Sequence, residues 1–358
     1  MARSKHQKGD QSTTGQKHET EHEASPNPRR IKTEKQQTLE ESLENDKGRK
    51  TEKTDSIASK QVDKSEAQKQ SAVRLGEEPD VPPSILEKGI IYFFIRGRVN
   101  IDNPESVEDI ARTYILLRPI EKDAKLGDGP IGDARNNRLL ALPKKKLPLS
   151  GKDRFMIFVE KSNASFKNLK KSFLAGADYE TKTVGTRHTP AAIPVGEGVY
   201  ALTTTGRESH LVYILTIPEK LDSAQKDLGI KEKGSFIIST KNPNYAGPAS
   251  ARLPKNPKFP AKVIDEFRSL RWLPSKPVHL DYPNSQLLLV GESSGVKKAL
   301  EPQEKDEGNG AEKPEEFMES LAEEDLQRMR HLTGHQSESI YADLQAQAEG
   351  YPQLKTTF

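Results

Sequence analysis

A single, mostly antiparallel α+β domain with a few helices, flanked by long disordered tails, is the architecture the sequence predicts. Three observations point there. Apolar residues occur in short bursts of strand length, separated by turn residues. These bursts fall only in the middle of the chain. The flanks are polar, and all of residues 1–80 pass without one Phe, Tyr or Trp. Hydrophobic residues make up 33% of the 358 and charged residues 30%, with a mean hydropathy of -0.79. A packed domain runs nearer half apolar, so these averages exclude a chain folded uniformly along its length.

Three pieces follow from composition. Residues 1–80 hold 16 basic and 16 acidic side chains and read as a disordered polyampholyte arm, because they cannot bury enough apolar surface to offset the entropy of ordering. Residues 81–300 hold 35 basic and 23 acidic side chains, a net +12, and read as one basic α+β domain. Residues 301–358 hold 5 basic and 14 acidic side chains, a net -9, and read as an acidic tail. The near-neutral total of +3 is a cancellation between the last two.

Within the domain the bursts are Ile90–Ile95, Tyr114–Leu117, Leu139–Leu142, Phe155–Val159, Val199–Leu202, Leu211–Leu215, Phe236–Ile238 and Leu287–Val290. Each is rich in β-branched or aromatic residues and bounded by Gly, Pro, Asn, Asp or charge, the signature of a strand. Gly198–Thr205 and Ser209–Ile217, joined by Gly206-Arg207-Glu208, read as a hairpin. Helical spacing is rarer. Leu221, Ala224 and Leu228 recur after Pro218 and stop at Gly229; Val263, Ile264, Phe267 and Leu270 recur between Pro260 and Pro274; Phe166, Leu169 and Phe173 stop at Gly176. Strands outnumber helices without alternating with them, so a doubly wound sheet is disfavoured. In the acidic piece Phe317, Met318, Leu321, Leu326 and Met329 outline an amphipathic helix. That segment has three readings: a partner-binding helix, a solvated tail, or a strap folded back to screen the basic domain.

No cysteine is present, which removes disulfides and thiolate metal sites and fits an intracellular chain of the cytoplasm or nucleus. Met1–Lys8 lacks the apolar stretch of a secretion signal, and the longest apolar run is too short to span a membrane.

Three strings imitate catalytic motifs. His18-Glu19-Thr20-Glu21-His22 matches a zinc-protease pattern but has no apolar stripe to bury such a helix. Gly291-Glu292-Ser293-Ser294-Gly295 matches a nucleophile elbow, yet only His331 and His335 follow it, both in the polar tail. Gly196-Glu197-Gly198-Val199-Tyr200-Ala201 matches a dinucleotide fingerprint but leads into a strand, where that chemistry needs a helix N-terminus. None supports a metal or a cofactor, so neither is expected.

The best remaining place for chemistry is Thr186–Gly198, read as a loop on the β scaffold. There His188 and Glu197 would form an acid–base pair, with Arg187 or Lys241 holding an anion. Arg268, Arg271 and Trp272 read either as a recognition edge or, in preference, as a helix end that packs Trp272 into the core. Lys144-Lys145-Lys146 is a solvated loop or a minimal import element. The +12 charge raises nucleic-acid binding as an alternative, without a recognition motif beside it.

Gly185–Ala192, Gly196–Leu202, Gly234–Ser239 with Lys241-Asn242-Pro243, and the Asp281–Gly291 ending together resemble a family found in fungi, plants and bacteria. Its fungal members often carry the label "BTB domain transcription factor". The resemblance covers the middle 220 residues and brings no activity or site residue with it. The label implies a helix-rich domain with an early His-containing segment, and the strand bursts depart from that pattern. The sequence therefore leads to a non-catalytic binding or adaptor protein that meets protein partners through its tails. An enzyme using Arg187, His188 and Glu197, or a nucleic-acid-associated protein, is the alternative.

Overall fold

The eight apolar bursts become eight strands that close on themselves. A computed structural model describes residues 73–75, 81–183, 185–247, 253–306, 312–332 and 336–358. The strands are β1 (Val73–Leu75), β2 (Ile85–Gly97), β3 (Ile110–Ile120), β4 (Ala124–Leu126), β5 (Asn137–Leu142), β6 (Arg154–Ala164), β7 (Ala177–Thr181), β8 (Gly185–Thr189), β9 (Ala192–Thr204), β10 (Ser209–Ile217), β11 (Lys233–Lys241), β12 (Trp272–Pro274) and β13 (Gln286–Gly291). Hydrogen bonding runs in the order β10-β9-β2-β3-β5-β6-β13-β11, and β11 pairs back onto β10, so these eight form an antiparallel barrel. A closed sheet has no free edge in the ring. The short β12 adds to the second half of β11, and β7 with β8 forms a separate hairpin. The observed fold is α+β with a large antiparallel sheet.

Alternation explains how one sheet buries both faces. Ile91, Phe93 and Ile95 of β2 point into the barrel, joined by residues such as Leu117, Leu140, Ile157, Leu202, Tyr213, Phe236 and Leu289 from the other seven strands. Their neighbours Ile90, Tyr92 and Phe94 point outward into a second cluster. Close approach dictates some residues. A side chain at Gly234 would meet the Tyr213 ring within 2.4 Å, so that ring lies flat over bare backbone.

Helices pack around the sheet; the first and the last two complete the outer cluster, and Leu228 of the second joins the inner one. The helices are α1 (Phe166–Leu169, continued by a wider turn to Leu174), α2 (Ser223–Leu228), α3 (Ala261–Phe267), α4 (Pro314–Leu332) and α5 (Gln336–Asp343). The α2 start is capped by Asp222, and Gly229 ends it with φ 81, a conformation suited to glycine. The amphipathic pattern in the acidic segment does form a helix. It docks on the barrel itself, burying Phe317, Met318, Leu321 and Met329 against outward residues of β2, β9 and β10. Of the three readings of that segment, the described part of it shows the folded-back strap. Its last residues continue around the barrel: Lys355 donates to Pro194 O, Ala224 donates to Thr356 O, and Phe358 packs against the inner cluster. Among the described residues no helix is long and apolar enough to cross a membrane.

Two expectations are corrected. Thr186–Gly198 is not a loop but β8 and the first half of β9. Trp272 is not packed into the core at a helix end. Arg268 takes φ 49 and terminates α3, and Trp272 follows in β12, half-buried.

Candidate functional site

The proposed acid–base pair does not assemble. His188 sits on β8 with its ring between two carboxylates, Nδ1 at 2.5 Å from Asp178 and Nε2 at 3.0 Å from Asp102. Its ring is 38% exposed. Glu197 lies on the outward side of β9, fully buried beneath α4, among different partners. Alternation on β8 sends Arg187 to the face opposite His188, where it is half-buried across from Tyr179. Lys241 ends β11 and donates to Tyr245 O at 2.6 Å. Arg187 and His188 share one hairpin on opposite faces, and Glu197 and Lys241 serve two other parts of the fold.

Glu197 belongs to a buried ionic cluster that sequence reasoning missed. Arg328 of α4 bonds to Asp325 at 2.5 Å and to Asp343 of α5 at 2.6 Å, and lies 3.7 Å from Glu197. Arg118 of β3 reaches Asp343 at 3.1 Å, and the Tyr92 hydroxyl donates to the same carboxylate. Thr216 of β10 stands 2.9 Å from Glu197 and 2.8 Å from Asp325. Both arginines and all three acids are almost fully buried. Burial and the nearby Asp325 raise the Glu197 pKa well above the ordinary carboxylate range. Burial works the same way on Asp343, but Arg328 and Arg118 overcome it and hold that carboxyl at about 2.

A second cluster closes one end of the barrel. Arg138 of β5 grips both Glu87 oxygens at 2.7 and 2.8 Å and Asp281 at 2.8 Å, while the Tyr200 hydroxyl donates to Glu87 at 2.8 Å. Asp281 ends the turn Pro277–Asp281, whose Leu280 enters the inner cluster. In the same turn His279 Nδ1 lies 3.0 Å from the Thr240 hydroxyl, which lies 2.8 Å from Ser275 Oγ. A hydroxyl beside an imidazole is the arrangement of an activated nucleophile. Here all three side chains are 0% exposed and the ring packs on Phe267, so substrate has no access. Burial lowers the His279 pKa to about 4 and keeps it neutral.

The nucleophile-elbow string is likewise structural. Gly291 ends β13 and Ser293 is exposed in a turn, whereas Glu292 is buried and bonds to His210 at 2.9 Å and to Ser235. No helix begins there. The zinc-protease string lies outside the described residues. Among the described residues no group of three His, Asp or Glu side chains is arranged to hold a metal ion. Lys145 of the triple lysine is tied to Glu108, with Lys144 and Lys146 exposed on either side.

One surface differs from the rest of the barrel. The outward faces of β10, β9, β2 and β3 are covered by helices. The outward rows of β6, β13 and the second half of β11 are only half-buried: Met156, Leu288 and Val290, and Ile237, with Phe158 at the margin packing on the covered cluster. Register puts them on one face, with Met156 opposite Leu288 and Val290 opposite Ile237. The face continues through Ser239, opposite Pro274, to Trp272 of β12. Arg154, opposite Val290, and Arg271, beside Trp272, flank it and are exposed. This face was not visible in the sequence, because each strand contributes only two or three residues.

Fold and site together describe a plugged antiparallel barrel that wears its own acidic segment as an outer layer. No protein-family model matches the chain, and comparison with curated proteins and with solved structures gives no match either.

Proposed function

We propose that this chain is a non-catalytic binding protein, an adaptor that works inside the cell by presenting surfaces. The observation that carries the reading is the half-exposed apolar face of β6, β13 and β11. Contiguous apolar surface edged by polar groups is the usual mark of an interaction site. Composition agrees, since Met, Trp and Arg are enriched in the cores of protein interfaces. The buried titratable groups support the same reading. Glu197, Asp325, Asp343 and Glu87 are each engaged by an arginine, and the Thr240–His279 pair is sealed.

The test has two arms. Purified protein is screened with hydrolase and phosphatase substrates beside His188→Ala and Ser293→Ala, and no turnover is expected. Cross-linking in cells then compares the wild type with a Met156→Glu, Leu288→Glu pair variant of equal thermal stability. Loss of specific cross-links in the pair variant is the expected result. Turnover abolished by either alanine substitution, or cross-links unchanged by the pair, overturns the proposal.

A further inference from the structure

We infer that the face of β6, β13, β11 and β12, which no described helix covers, docks an acidic protein segment with apolar anchors, seated on Met156, Leu288, Val290 and Trp272 and held by Arg154 and Arg271. The inference rests on the binding reading above and names the chemistry of the partner.

Charge is the first argument. Arg154 and Arg271 are exposed at two borders of the face, and neither has an ion-pair partner among the described residues. Arg271 lies 5.5 Å from the Tyr245 ring centroid, which holds its guanidinium in place beside Trp272. The neighbouring Leu270 is 52% exposed, more than any other large apolar side chain described. Glu160 is the acidic residue on the outward row of β6, and it lies beyond Phe158 toward Tyr114, at the far end of that row from Arg154. A partner bearing carboxylates around aliphatic or aromatic anchors complements this pattern. A basic partner meets unpaired guanidiniums instead.

The second argument is that the barrel already binds such a segment. α4 carries Glu315, Glu316, Glu319, Glu323 and Glu324 while burying Phe317, Met318 and Leu321 on the outward face of adjoining strands. Its Glu319 pairs at 2.5 Å with Lys233, at the start of β11. The second half of that same strand, from Ile237 on, belongs to the face of β6, β13, β11 and β12. The occupied surface and this face thus share one strand, with the buried Ser235–Glu292 contact between them, and the chemistry seen on the first fits the second.

The experiment uses the full-length protein and a fluorescent peptide of the chain's own residues 312–332 as the acidic amphipathic probe, titrated by anisotropy. Controls are a charge-reversed peptide, phosphatidylserine vesicles and duplex DNA. Saturable binding of the acidic peptide is expected, weakened about tenfold by Leu288→Glu and by the Arg154→Glu, Arg271→Glu pair, the loss a central interface anchor carries. It should fall at about 0.5 M salt, where screening is nearly complete. Lys182→Glu, on the exposed β7–β8 turn, should leave it unchanged. Absence of binding, or binding indifferent to the face substitutions, overturns the inference. If the charge-reversed peptide, vesicles or DNA bind instead and are lost with Leu288→Glu, the partner chemistry is wrong while the binding face stands. Turnover in the activity screen would overturn the binding reading itself.

Discussion

Thr216 has one hydroxyl hydrogen and stands within hydrogen-bond reach of two carboxyls, Glu197 and Asp325. One of the acids must therefore supply a proton, and burial selects Glu197. Its pKa is raised in the folded state above an unfolded value of 4.5. Its stabilising contribution is thus complete below that value and is lost as pH rises through the folded-state pKa. Glu197→Gln, which has no such proton to lose, should match the wild type in acid and exceed it in thermal stability at neutral pH and above. Thermal melts across a pH series check this. Asp343 has the opposite sign: its contribution is present above 3.8 and is lost as pH falls toward about 2. Arg328→Met leaves Asp325 buried without its cation and Asp343 with Arg118 alone, and should cost about 3–5 kcal/mol in chemical denaturation. None of this was readable from the sequence. Glu197 looked like part of a glycine-flanked loop, and its charged partners Asp325 and Arg328 lie more than a hundred residues downstream.

At the scale of elements, the β7–β8 hairpin is clasped by His188. Both ring nitrogens face carboxylates, so the clasp needs both N–H groups, that is, the imidazolium. Asp178 first, with Asp102, raises the His188 pKa, working against slight desolvation. Asn100 N–H donates to His188 O, and His188 N–H donates to Asn100 Oδ1, joining the hairpin to the β2–β3 connection at the same point. The clasp is complete below about 6.5 and loosens as pH rises through the higher folded-state value. Amide exchange in 177–189, corrected for its intrinsic pH dependence, should accelerate across that interval, and His188→Gln should remove the step. Equal protection at every pH would show that the clasp does nothing.

Elements were also where sequence reading worked. All eight apolar bursts are barrel strands, the Gly198–Ile217 hairpin is β9 and β10, and the three helical spacings mark α1, α2 and α3. Alternation and glycine or proline punctuation are local signals, so they survive without tertiary knowledge. Trp272 was misplaced because the helical spacing Phe267–Leu270 does not reveal the positive φ at Arg268 that ends α3. Ring closure between β10 and β11, and the face of β6, β13, β11 and β12, depend on pairing between distant strands and left no periodic trace.

At the scale of the whole molecule, composition drew the domain boundary near residue 300, and the physics of the barrel moves it. The acidic 301–358 piece dilutes the hydrophobic average, yet Phe317, Met318, Leu321, Met329, Ile340 and Leu344 are all buried in the outer cluster. A helix with a narrow apolar stripe and many glutamates reads as solvated when its docking surface is unknown. The basic barrel supplies that surface, and the +12 and -9 pieces meet within one fold. The most direct measurement is equilibrium unfolding of a chain ending at Asp306, alone and with residues 312–358 added as a separate peptide. Without the peptide, exposed outer-face residues and the charge of Arg118, left without Asp343, should abolish the cooperative transition, and the peptide should restore it. A truncated chain that unfolds with the full-length midpoint, unaffected by the peptide, would contradict the view that the acidic segment completes the barrel.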